Sequence, residues 1–357
     1  MYSLTLFITV GLSASAAGAD AAPFYADKLD LLFYLDASGE RRPVQSAADW
    51  ELRREHVRAN FQKVAGPLPP RENLLPLDIQ VEEEQEFPKY VRRKITFAVE
   101  SWDRLPACLL LPKGREGKVP AVLCLHPTSE FGKDVVLGVN GKANRQYAAE
   151  LAEQGFVTLA PDYPGFGDYK DARQRAYSRG YTSMTMKGIW NHMRCVDLLQ
   201  SLPEVDPERI GCIGHSLGGH NTLFVGLFDE RIKVMVTSCG FTLFAKYMGG
   251  DLTGWTHDGY MPAIASEFDK EPAKMPFDFP DILGALAPRT VFINAPINDD
   301  NFDNSGVRDC VEAARPIFRL YGAEDHLIAV YPEAEHDFPD LERTQAYACI
   351  RSVLERD

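Results

Sequence analysis

Arg209-Ile210-Gly211-Cys212-Ile213-Gly214-His215-Ser216-Leu217-Gly218-Gly219-His220 is the stretch on which the reading of this chain turns. A short apolar run enters it, and Gly214, Ser216 and Gly218 form a Gly-x-Ser-x-Gly motif. The residues that follow, Asn221-Thr222-Leu223-Phe224-Val225-Gly226-Leu227-Phe228, read as a helix. Strand, tight turn and helix together are the setting of a nucleophile elbow. A serine that is to attack must stand clear at the tip of a sheet, on a sharp and strained turn. Glycine two positions before and after lets strand and helix cross with no Cβ between them. The bland reading, a glycine-rich connection with a buried serine, lacks a reason for the symmetric spacing.

The composition bounds the rest. With 357 residues, 45% of them hydrophobic, the chain can bury one large core or two modest ones. The formal net charge of −13 argues against a nucleic-acid partner, which leaves a basic footprint, and is read as a solubility feature. Residues 1–19 read as a secretory signal, so export is expected. The apolar run 4–12 leads to small residues ending Ala17-Gly18-Ala19, although no Lys or Arg precedes it. That run is too short to span a bilayer comfortably, and no other segment suits insertion. Seven cysteines are present without a Cys-x-x-Cys pair. Most lie in apolar runs and read as core residues, not as a disulfide framework or zinc site.

Residues 20–75 carry charged helical stretches and end in Gly66-Pro67-Leu68-Pro69-Pro70, which suggests an arm packed on one main domain at 76–357. Runs at 90–99 and 107–112 read as antiparallel strands at a sheet edge. Strands and helices then alternate. Strands are expected at 119–125, 156–160, 210–213, 232–236, 290–295 and 327–331, and helices near 147–152, 189–199 and 307–314, the last with a kink expected at Pro316. A final helix is expected from about 340. The fold class is α/β: a mostly parallel central sheet with helices on both faces. An insert at about 241–288, rich in Phe, Tyr and Trp, is expected either to cap the site or to add packing surface.

Ser216 needs a base, and the base needs a carboxylate to orient it. For an elbow of this kind the chain order is Ser, then Asp or Glu, then His. His336 follows the last strand; His326, the other late histidine, precedes it at the wrong end of the sheet. The acid belongs after the strand at 290–295, where Asp299, Asp300 and Asp303 lie. Asp299 comes first, with Asp300 as the alternative. The run Asp299-Asp300-Asn301-Phe302-Asp303 mimics the start of a calcium loop, but its sixth position is Asn304 instead of Gly and its twelfth Cys310 instead of Glu, so no metal is expected. The oxyanion donors are expected to be the amides of Leu217 and Thr128, since Pro127 has no N–H. His126 reads as a prop for its loop, and His215 and His220 as packing residues.

Several stretches now point one way. Asp206-Pro207-Glu208-Arg209-Ile210-Gly211 leading into the elbow, His126-Pro127, Asp162-Tyr163-Pro164-Gly165-Phe166-Gly167, Asp299 and His336-Asp337-Phe338 resemble the α/β-hydrolase superfamily. Within it the chain is similar to the bacterial acetyl xylan esterase and dienelactone hydrolase-like group over about 76–357. The resemblance implies an α/β-hydrolase fold and a serine hydrolase that needs no cofactor. It would cleave carboxylic esters with short acyl groups, acetylated carbohydrate among them, through an acyl-enzyme. Two rival readings are a peptidase of the prolyl oligopeptidase type, whose propeller the short arm does not supply, and a binding protein on the same fold.

Overall fold

A computed structural model describes residues 22–355; the stretch read as a secretory signal lies outside the described residues. In chain order the elements are β1 (Phe33–Leu35), β2 (Arg41–Pro43), α1 (Ala47–Ala65), β3 (Gln80–Glu86), β4 (Tyr90–Glu100), β5 (Asp103–Pro112), β6 (Val119–Leu125), α2 (Tyr147–Glu153), β7 (Val157–Pro161), α3 (Ala172–Ser178), α4 (Met184–Ser201), β8 (Val205–His215), α5 (Leu217–Phe228), β9 (Ile232–Ser238), α6 (Ala263–Ser266), α7 (Phe279–Leu286), β10 (Thr290–Asn294), α8 (Asn304–Leu320), β11 (Leu327–Val330) and α9 (Asp340–Leu354).

Nine strands form one sheet in the order β11-β10-β9-β8-β6-β7-β5-β4-β3. The six from β11 to β7 are mutually parallel. The three at the other edge pair antiparallel, β5 meeting β7 in that sense. Strand β6 is buried at every position, as expected of a central parallel strand covered on both faces. Alternate side chains face opposite layers. Ala121, Leu123, Cys212 and Met235 join the core with α1, α4, α5, α7 and α8, while Val122, Cys124, Ile213 and Val236 join the core with α2 and α9. Strand β8, which leads to Ser216, lies near the middle of the sheet, so its carboxyl end opens at the rim where open α/β sheets hold ligands.

The expected strands and helices are present, with ends shifted by a few residues. The β8 strand begins earlier than expected, and α8 runs through Pro316 as one element. Two features were not legible. The hairpin β1–β2 is only three residues long on each side. Strand β3, Gln-Val-Glu-Glu-Glu-Gln-Glu, is exposed throughout and shows no apolar alternation. It pairs antiparallel with β4, and its charges find partners there and just beyond β5: Glu84 pairs with Arg93 across the ladder and Glu86 with Lys113 after the end of β5.

The arm is integral to the main core. Ser46 and Asp49 close a capping box at the start of α1, and Trp50, Val57 and Phe61 are buried against the domain. Arg53 is fully buried; its guanidinium donates to the carbonyls of Asp30 and Phe33 and to Asp281 on α7. Asp281 in turn accepts from the Asp278 amide in the capping box of α7, within the aromatic insert. The insert's aromatics, Phe241, Phe244, Trp255, Phe277 and Phe279, are buried in that same core. At its near edge the Tyr260 hydroxyl bonds the Thr128 side chain.

Arg53→Ala would strand the Asp281 carboxylate without its buried partner. We expect a loss of about 3–5 kcal/mol in denaturant unfolding, with Arg53→Met/Asp281→Leu recovering most of it. An Arg53→Ala chain as stable as the parent would show that the arm is not tied down by this pair.

Candidate active site

Ser216 sits between the end of β8 and the start of α5 with φ 55° and ψ −117°, a conformation costly for any residue with a side chain. Its N–H donates to the Ser238 carbonyl at 2.8 Å, and its own carbonyl accepts from Gly219 at 2.8 Å. The motif glycines are there for space. A Cβ on Gly214 would lie 2.1 Å from the Gly218 oxygen, and one on Gly218 would lie 2.0 Å from the Leu125 oxygen at the end of β6. Leu217 is the first residue of α5, so its amide points out of the helix with no intrahelical acceptor.

His336 and Ser216 line one cleft of about 240 Å³, with Thr128, Ser129 and His215 among the other walls. His336 Nδ1 lies 3.0 Å from each oxygen of Asp299. Asp299 is almost wholly buried, while His336 keeps about a quarter of its side chain exposed. Burial alone would raise the Asp299 carboxyl. The hydrogen bond and charge of His336, with the amides of Asn301 (2.9 Å) and Phe302 (3.1 Å), outweigh it and hold the group below the usual carboxylate range. Asp300 is exposed. Asp303 caps α8 instead, accepting from the amides of Ser305 and Gly306. Of the three acids in this loop, Asp299 faces the imidazole and its neighbours do not.

The loop that carries His336 is held from two sides. Across the strand ends, His215 Nδ1 lies 2.9 Å from the Ser238 hydroxyl, which accepts from Asn294; Asn294 also donates to the Asp337 carbonyl at 2.9 Å. From the opposite wall, Arg145 donates to the Asp337 carboxylate at 2.5 Å and to the His336 carbonyl at 3.1 Å, and Asn144 donates to Asp337 at 3.0 Å. His126 props the loop after β6, as expected. Its Nε2 accepts the Tyr163 amide at 2.9 Å, which leaves Nδ1–H to donate to the Pro127 carbonyl at 2.7 Å. Burial holds His126 neutral by lowering its pKa. Asp162 completes the prop, accepting from the amide and ammonium of Lys133 and the amide of Asp168.

Sequence reasoning missed Arg145, Asn294 and Cys239. Cys239 follows β9 at φ 48°, and its Sγ lies within 4.8 Å of ligating atoms of both Asp299 and His336. Nothing in the local pattern marks Arg145 or Asn294. Cys239 carried one usable signal, its position immediately beyond the carboxyl end of β9, the strand next to β8. Among the described residues six cysteines, Cys239 included, are buried as thiols.

The chain has the α/β-hydrolase fold. Family models for fungal glucuronyl esterase match residues 174–322 and for the dienelactone hydrolase family residues 105–242. YtaP of Bacillus subtilis (strain 168), a hydrolase by name, is 27% identical over 84% of this chain and 100% of its own length. A glucuronoyl esterase from Solibacter usitatus superposes with a TM-score of 0.71 over 93% of this chain and 99% of its own, at 19% identity. A Bacteroides fragilis NCTC 9343 protein named as an acetyl xylan esterase gives 0.59 over 80% and 76%, again at 19%. Among the described residues no helix is long and apolar enough to cross a membrane.

If His336 Nδ1–H is shared between the two Asp299 oxygens, proton NMR of the folded protein should show a far-downfield imidazole resonance. Asp299→Ala should abolish it and Asp300→Ala should leave it in place; the reverse result would reassign the partner.

Proposed function

We propose that this protein is a carboxylic ester hydrolase of the serine type, similar to glucuronoyl esterases, that acts on esters carried by carbohydrate. The observation that carries the reading is the imidazole of His336, anchored through Nδ1 by both oxygens of Asp299 while it shares a cleft with the strained Ser216. The apolar run 4–12 and Ala17-Gly18-Ala19 favour an exported enzyme, where polymeric sugar esters are met.

The steps follow from these roles. Anchoring Nδ1–H fixes the tautomer and leaves Nε2 unprotonated to accept the Ser216 proton as Oγ attacks the ester carbonyl. The negative oxygen that forms is met by the amides of Leu217 and Thr128, at the positive end of α5. Imidazolium, stabilised by Asp299, then returns its proton to the leaving alcohol, and an acyl group remains on Ser216. Water enters the cleft and bonds the acyl carbon as it loses a proton to His336; the bond to Oγ breaks, the imidazolium returns that proton to Ser216, and the acid leaves. Arg145 and Asn294 touch no reacting atom; they are positioning residues that hold the loop of His336 against the strand ends.

Ser216→Ala should remove hydrolysis of p-nitrophenyl acetate and of a methyl glucuronate ester by about 10⁴-fold or more without loss of fold. Turnover within tenfold of the parent would place the nucleophile elsewhere. Arg145→Ala should lower kcat by about 10–100-fold with little change in KM, since it loosens a proton-transfer group and not a binding contact. A change in KM alone would refute the positioning role.

A further inference from the structure

The chain carries a net charge of −13, yet the charged side chains that line the cleft over Ser216, apart from His336, are two cations, Lys142 and Arg145. Among the described residues no carboxylate lines it. The two cations differ in what neutralises them. Arg145 is buried and engaged with Asp337, so the pair is close to neutral seen from the cleft. Lys142 is exposed at the mouth and takes part in no ion pair among the described residues. Both charges reach the elbow. His215, at the base of the cleft, is held well below the usual histidine range, first by burial and then by Arg145, His336 and Lys142.

An uncompensated ammonium at the mouth of a small cleft attracts anions, and it does so most where the walls exclude water. It gives a neutral ester nothing in particular. Resting on the ester hydrolase reading above, we propose that Lys142 selects esters that carry a free carboxylate close to the scissile bond. The chemistry fits an acidic sugar chain in which one uronate is esterified and a neighbouring one is not. Ser216 would act on the first while Lys142 holds the second. Arg145, its charge already balanced by Asp337, makes no direct contact with that carboxylate.

The test compares two synthetic substrates: a uronosyl disaccharide with one methyl ester and one free carboxylate, and the same disaccharide with both carboxyls methylated. At low salt the parent protein should favour the monoester in kcat/KM by about tenfold. High salt should erase most of that preference, because exposed charges are screened within about 10 Å at moderate ionic strength. Lys142→Glu should abolish or invert the preference, and Lys142→Arg should keep it. Equal preference in Lys142→Glu and the parent would overturn the proposal, as would a parent that turns over both esters alike. Failure of the hydrolase reading looks different: neither ester is cleaved, and Ser216 resists a fluorophosphonate probe. Calorimetry on the parent and Lys142→Glu then still decides. Salt-sensitive binding of the monoester that is lost in the variant supports the anion site, and its absence in the parent refutes it.

Discussion

The contact on which the site rests is the approach of Gly218 to the Leu125 carbonyl, a distance at which no Cβ fits. It brings α5 down against the end of β6, and Gly214 must yield for the same reason. Ser216, caught between them, is left at φ 55° with its hydroxyl facing the cleft. The cost of that backbone, about 1–3 kcal/mol, is offset by the amide bond to Ser238 and by the dense packing of α5 and β8. Strain here is a consequence of packing, and it places the first amide of a helix directly after Ser216.

From that point the sheet works as a rigid rack. The carboxyl ends of β8, β9 and β10 are joined side by side through His215, Ser238 and Asn294, and the last of these reaches the loop of His336. The imidazole is therefore placed by strands that are themselves buried, although the loop that carries it lies near the surface. Arg145 closes the same loop from the far wall. Groups that approach one another from such distant parts of the chain keep their geometry because each is fixed to an element that cannot shift alone.

Much of this was legible in the chain because the signals are local. The elbow is written in five residues, the parallel strands in continuous apolar runs, and the order of Ser216, Asp299 and His336 in the order of strands. What escaped depends on neighbours distant in sequence. Strand β3 is defined by its ladder to β4 and by ion pairs to Arg93 on that strand and to Lys113 beyond β5, not by its own pattern. Arg145 lies 192 residues from Asp337, and no spacing rule connects them. The aromatic insert was ambiguous because rings that could roof a cleft can equally fill a core; here Phe61 of the arm packs edge-on to Phe224, and Phe279 stacks on both Phe224 and Phe241.

Cys239 shows how burial assigns charge within so small a space. Its thiol lies beside a carboxylate and an imidazole, and an imidazole is a common partner of a thiolate. Burial, and then the charge of Asp299, drive its pKa well above the ordinary value, so sulfur keeps its proton. A protonated thiol is a weak donor, and its acceptors here are the Asp337 carbonyl at 3.2 Å and the Asp299 carboxylate. Two anions side by side would compete for one imidazole and raise one another's proton affinity. With sulfur neutral, the negative charge that faces Nδ1 of His336 belongs to Asp299, and a carboxylate below its usual pKa stays ionised across the range in which histidine gains and loses its proton.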